Sequence, residues 1–211
     1  MIVSWHGHAC VSLQIDRYII VIDPHDGASI GLRKPSVKAD LVLVTHDHFD
    51  HNAVHVVSKD KTRVFKNYYG EAVIDNLKIT GLRSFHDKAK GKRRGENAIY
   101  VIEVNEYKIA HLGDLGDIPE EPVIEKLKNA SLLITPVGGT FTIEPFEAWG
   151  IVEKTKPLNV LPIHYWTPGL TLPLKPVEEF LKHVKEYKVT HLESNTFDLR
   201  EYKNSILVLK L

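Results

Sequence analysis

The chain carries almost none of the residues that cross-link or ligate through sulfur: of 211 residues one is cysteine, Cys10, and one is methionine, Met1. A single thiol excludes a disulfide framework and fits a reducing compartment, so a cytoplasmic protein is expected. Charge of neither sign is in surplus, since Lys plus Arg and Asp plus Glu both number 27. That balance offers no general attraction to nucleic acid or to an anionic membrane. Long apolar runs are missing as well; Tyr18 to Ile22 is typical, far short of the ~20 residues that span a bilayer. The opening Met1-Ile-Val-Ser-Trp-His6 lacks the basic-then-apolar pattern of a secretory leader. No linker or low-complexity stretch divides the chain, so residues 1–211 are expected to form one domain whose core needs no staples. Few Gln, Met and Cys residues beside 26% charged residues lean towards a heat-stable protein.

What the chain does have is histidine, twelve in all, and it is not evenly spread. Leu41-Val-Leu-Val44 reads as a fully buried strand. Directly after it come His46, His48, Asp50 and His51, an HxHxDH pattern where the strand should end. Open α/β architectures place their chemistry outside the carboxyl ends of strands. Neutral imidazole is the commonest metal ligand and carboxylate its usual hard partner, so this corner predicts a metal site.

The rest of the chain reads as short strands and a few helices. Val11–Ile15 and Tyr18–Ile22 form a hairpin that ends at Asp23-Pro24, where proline stops the ladder. Ala98–Val104 and Tyr107–Leu112 form a second hairpin, followed by buried strands at 132–135 and 159–163. Helices are expected over 52–58, 119–128, 144–154 and, most clearly by spacing, Lys175–Tyr187, where Val177, Phe180, Leu181 and Val184 share a face. The stretch from Ile15-Asp16-Arg17-Tyr18 matches Val104-Asn105-Glu106-Tyr107, and Ala39–Leu43 matches Ala130–Ile134 at nearly the same offset. Two β-rich halves, each with helices on one outer face, predict an α/β (α+β) fold: a four-layer αββα sandwich of two mixed sheets with pseudo-duplicated halves.

Three further chelating residues sit at expected strand ends: His86 after Phe85, Asp114 in His111-Leu-Gly-Asp114, and His164 in Pro162-Ile-His164-Tyr165. With the motif they make seven ligand side chains, enough for two ions sharing a carboxylate, commonly ~3.5–4 Å apart in hydrolases. In order along the chain, Asp23, Thr45–His51, His86, Gly113-Asp114 and His164 resemble the motifs of the metallo-β-lactamase-fold hydrolases, from end to end. Within that superfamily the Gly7-His8-Ala9 turn, Arg94-Gly95-x-Asn97 and Pro136-Val-Gly-Gly139 are similar to a compact branch. That branch is related to ascorbate-phosphate lactonases and N-acyl-phosphatidylethanolamine phospholipase D. One departure is Asp117, where such relatives lead one to expect histidine.

The resemblance implies that His46, His48 and His86 hold one ion, Asp50, His51 and His164 a second, and that Asp114 bridges them. Asp23 would brace the HxHxDH loop from behind. It also implies two divalent ions, with Zn²⁺ first and Mn²⁺ or Fe as alternatives for mixed His/carboxylate donors. Hydroxide shared by the ions would attack an ester, lactone or phosphodiester, with Asp50 as the catalytic group that orients the water. A nuclease is the alternative hydrolase, and a diiron oxidoreductase a more distant one. His48 stands where the oxidoreductases usually carry Glu.

Outside the ligand set, His8 is read either as a pocket residue acting on substrate or as a buried support. His111 is read as a packed strand histidine. The basic run Lys88, Lys90, Lys92, Arg93, Arg94 begins beside His86 and favours a small anionic substrate, with Arg94 the residue most apt to meet it. Whether the chain forms a homo-oligomer is left open.

Overall fold

Two look-alike hairpins seed two sheets. In the computed structural model, which describes residues 1–211, β2 (Val11–Ile15) pairs antiparallel with β3 (Tyr18–Ile22), and β8 (Glu96–Val104) with β9 (Tyr107–His111). The first turn residue of each is left-handed, Asp16 at φ 53° and Asn105 at φ 51°, as tight two-residue hairpins require. Each hairpin is preceded by an antiparallel neighbour, β1 (Ile2–Trp5) beside β2 and β7 (Leu77–Phe85) beside β8. Each is then extended by two parallel strands. These are β4 (Ala39–Val44) and β5 (Ser58–Lys66) in one sheet, β10 (Leu132–Pro136) and β11 (Asn159–Ile163) in the other. The expected duplication is therefore present in strand order and direction.

Four short strands complete the sheets. β13 (Thr196–Asp198) edges the first; β6 (Gly70–Ile74), β12 (Lys188–Leu192) and β14 (Ser205–Leu209) extend the second. The orders are β13-β1-β2-β3-β4-β5 and β12-β14-β11-β10-β9-β8-β7-β6. One cluster of 46 buried residues, running from Val3 to Leu209, fills the space between the sheets and continues under the helices, with Trp5, Ile22, Tyr100 and Ile134 among its large members. Each such side chain contributes on the order of 1.5–3 kcal/mol by leaving water.

Helices are few and short. α1 (Val54–Val57) lays Val57 against Val21, Val42 and Val44 on the outer side of the first sheet. α2 (Glu121–Leu127) and α3 (Pro145–Thr155) cover the second, burying Ile124, Leu127, Ala148, Ile151 and Val152. The start of α3 is fixed by a reciprocal Glu144/Glu147 capping box, and its end by Lys156 in the left-handed region. The long helix expected over Lys175–Tyr187 is not formed; only α4 (Glu178–Leu181) is α-helical. Glu186 turns left-handed at φ 63° and the Tyr187 hydroxyl donates to the Pro157 carbonyl at 2.5 Å, so the chain swings away into β12. No helix is long and apolar enough to cross a membrane.

Candidate metal centre

The carboxyl ends of β3, β4, β7, β9 and β11 meet along one edge of the sandwich. At that edge Ala98 donates its N–H to the Thr45 carbonyl across the two sheets, at 2.8 Å. The residues that follow these strands are the ones the sequence marked: Asp23, His46 to His51, His86, Asp114 and His164. All seven expected ligands come together here, and all but the half-buried His48 are buried.

Asp114 is the centre of the arrangement. Its Oδ2 lies 3.1 Å from His164 Nε2, 3.2 Å from His51 Nε2, 3.3 Å from His86 Nε2 and 3.8 Å from His46 Nε2. Burial alone would raise this carboxyl, but the His164 and His51 imidazoles hold it well below the usual carboxylate range. Around it the donors fall into two groups. His46, His48 and His86 bring their ligating atoms within 4.8 Å of one another, as do His8, His51 and His164. Asp50 joins the second group, 3.6 Å from His51 Nε2 and 3.0 Å from His8 Nε2.

Asp23 fixes which ring nitrogens face the centre. Its carboxylate accepts the Thr45 N–H at 2.7 Å, the Thr45 hydroxyl at 2.6 Å and the His51 Nδ1–H at 3.0 Å. With its own hydrogen given to Asp23, Thr45 Oγ1 is left to accept from His46 Nδ1 at 3.0 Å. Both His46 and a neutral His51 therefore present an Nε2 lone pair inwards, the arrangement that outer carboxylates impose on metal-binding imidazoles. Burial pushes Asp23 up, yet His51 by charge and hydrogen bond brings it below its ordinary value, so it remains the anion this role needs.

Two residues that the sequence did not single out as functional hold Asp114 in place. Buried Asn97 accepts the Asp114 N–H at 3.0 Å while its amide donates to the Leu112 carbonyl and to Ser84. His111 accepts the Gly113 N–H at 3.0 Å and donates Nε2–H to the Ala9 carbonyl at 3.1 Å, so the packed strand histidine also ties two turns of the site. Glycine allows the closest approaches. A Cβ on Gly116 would fall 2.2 Å from the His86 carbonyl carbon, and one on Gly138 2.2 Å from the His164 carbonyl oxygen.

The donor set fits divalent cations. Asp114 Oδ1 and His46 Nε2 are buried without any protein partner, in a pocket where inward lone pairs face one another. Such atoms are costly to leave unpaired, and a cation satisfies them together. Imidazole with carboxylate suits Zn²⁺, Mn²⁺ or Fe.

The rim is mixed. Phe49, between two of the ligands, and Trp166, two residues past His164, are 59% and 45% exposed. Arg94 is exposed and stacks its guanidinium 5.3 Å from the Phe141 ring centre. It lines a cavity of about 370 Å³ with Asp87, Lys88, Arg93, Gly116 and Phe141. Within the basic run Lys88 is paired with Glu147 at 2.6 Å and Lys90 with Asp117 at 2.9 Å. Asp117, the departure from the expected pattern, thus anchors the loop. A larger cavity, about 640 Å³, lies by the entry ends of β10 and β11 at the far end of the sheet and carries no histidine.

The sequence profile of the β-lactamase superfamily domain matches residues 2–164. The chain belongs to the metallo-β-lactamase superfamily. Among relatives in this superfamily, a UPF0173 metal-dependent hydrolase of Thermococcus onnurineus is 32% identical over 209 residues, covering 86% of this chain and 91% of the relative. One from Hyperthermus butylicus is 28% identical, covering 89% and 92%. A Thermotoga maritima crystal structure, described as a candidate zinc-dependent hydrolase of the metallo-β-lactamase superfamily, superposes with TM-score 0.79 at 32% identity and covers 99% of both chains. Family and fold together make the chain a metal-dependent hydrolase of the metallo-β-lactamase type.

Proposed function

We propose that this protein hydrolyses an ester, lactone or phosphodiester bond in a small anionic substrate, using two divalent ions shared through Asp114. One observation carries the reading: a single buried carboxylate oxygen lies within 3.1–3.8 Å of imidazoles from four different positions, while its other oxygen has no protein partner. His46, His48 and His86 would hold one ion, Asp50, His51 and His164 the other, with Zn²⁺ as the first expectation. Ions there would polarise the scissile bond and supply a hydroxide nucleophile near neutral pH. The chain's own residues do the remaining work. Asp23 and Thr45 fix the tautomers of His51 and His46. Asp50 orients the attacking water. Arg94 and Arg93, which have no carboxylate partner, meet the substrate's negative charge.

Pairing of Lys88 and Lys90 with local carboxylates leaves a short basic patch and no extended track for a phosphate backbone, which supports a small substrate over a nucleic acid. The test is elemental analysis of the purified protein with a panel of lactones, phosphodiesters, phosphomonoesters and thioesters. Two ions per chain and turnover that falls at least ~100-fold in His48→Ala are expected, since even loss of an outer support costs 10–100-fold. Unchanged turnover in that variant would overturn the two-ion mechanism. Arg94→Ala should raise KM for anionic substrates while leaving kcat within a few-fold.

A further inference from the structure

We propose that His8 is a positioning residue for Asp50: it donates Nε2–H to the carboxylate at Oδ2 and so holds Asp50 beside His51 among the candidate ligands of the second ion. The inference rests on the two-ion reading above and begins from the backbone. Fourteen residues other than glycine have positive φ, and eleven of them are exposed. The three buried ones are His8 at φ 52°, Asp23 at φ 50° and His164 at φ 51°, all in the metal centre. A left-handed conformation costs a residue with a side chain about 1–2 kcal/mol, and buried strain of this kind persists only where the surroundings over-determine it.

They do so here. Every carbonyl from His6 to Cys10 is held by a named donor. His6 O accepts His25 Nε2–H, Gly7 O the Cys10 N–H, Ala9 O the His111 Nε2–H and Cys10 O the His6 N–H. His8 O accepts two, the Trp5 indole N–H at 2.9 Å and the main-chain N–H of His164 at 3.0 Å. So rigid a turn delivers the ring to one place. His8 Nε2 stands 3.0 Å from Asp50 Oδ2 and 3.2 Å from His51 Nε2, with the ring 4.3 Å from that of His164. His8 touches all three residues assigned to the second ion.

Hydrogen bookkeeping separates the roles open to it. A ligating His51 gives its Nδ1–H to Asp23 and so presents a lone pair at Nε2; Asp50 is an acceptor. The hydrogen between these three atoms therefore sits on His8 Nε2, which makes His8 a donor there and not a ligand. Its ring is 0% exposed, which removes it from contact with substrate.

The full-length protein tests this with Co²⁺ alone, titrated into the parent, His8→Phe and His8→Gln, with ions counted by elemental analysis and the Co²⁺ absorption spectrum read for coordination. Phe keeps a ring without a donor; Gln restores an N–H. His8→Phe is expected to hold both ions, the weaker one with affinity lowered about 10–100-fold, as for other supports of ligating groups. His8→Gln should recover to within a few-fold of the parent, with the parent spectrum. Both variants holding one ion fewer than the parent would make His8 a ligand and overturn the proposal. So would parent affinity in His8→Phe. If His8→Phe does not fold, by circular dichroism, His8→Ala replaces it under the same criteria. A parent that binds fewer than two ions fails the two-ion reading itself, and the proposal falls with it.

Discussion

The two donor groups that share Asp114 are enclosed to different degrees. In the group of His46, His48 and His86, one imidazole is half-buried and only one ring, that of His46, is braced, through Thr45; His86 is held through its main chain, its N–H on the Gly95 carbonyl. In the group of Asp50, His51 and His164, every member is buried and two side chains are braced, His51 by Asp23 and Asp50 by His8; His164, whose Nδ1 has no partner, is held through its main chain by the His8 carbonyl and by Gly138. The contrast divides the labour. Under the proposed two-ion reading, the closed, braced group would fix the position of the nucleophile and the open one would admit the substrate oxygen that needs polarising.

Four changes probe the contrast, from the most to the least damaging. Asp114→Ala should erase it, because both groups lean on that carboxylate. Metal content should fall at both, and turnover by well over the ~100-fold that loss of an outer support costs, measured by elemental analysis and kcat/KM. Asp23→Asn should expose it. An amide nitrogen cannot accept from His51 or Thr45, so affinity at the closed group is expected to drop about 10–100-fold, with a smaller loss at the open one. Two distinguishable Co²⁺ titration steps would show this, and equal losses at both would dissolve the proposed asymmetry.

The matched pair Gly116→Ala and Gly138→Ala strikes each group through its backbone. The new Cβ would overlap the His86 or the His164 carbonyl, and each variant should lose about 1–3 kcal/mol in denaturant melts. Metal loss should be confined to the open group in the first and the closed group in the second. Lys90→Ala is the mildest. It breaks an exposed pair with Asp117 and should change stability by no more than about 1 kcal/mol, while loosening the basic loop enough to raise KM for an anionic substrate.

Much of this could be read in the sequence because the chemistry sits where strand patterns stop. Leu41–Val44 and Asn159–Ile163 announce buried strands, and the residues just past them are the candidate chelators. The duplicated hairpins were visible for a similar reason: Asp16 and Asn105 are the residue types that tolerate a left-handed turn. Illegible features depend on partners distant in the chain. Val177, Phe180, Leu181 and Val184 have helical spacing, but the pull of Tyr187 on Pro157 ends the helix after one turn. β6 and β13 are short, each with a single buried residue and little apolar pattern to mark it. Asn97 stands in the sequence only as part of the family-like Arg94-Gly95-x-Asn97 motif, with no role until Asp114, seventeen positions later, is seen to donate to it. The left-handed backbone of His8 and the direction of its ring have no sequence signature at all.

One consequence follows from the hydrogen bond between His164 N–H and the His8 carbonyl. The closed group joins His8 to His164, 156 positions apart, and His164 follows β11, a strand flanked by β14. The three imidazoles of the open group lie between His46 and His86, a much shorter loop to close, with Asp114 joining them from further along the chain. Loop closure therefore favours gathering the open group's imidazoles first, with the braced group assembled only once β11 has docked between β10 and β14.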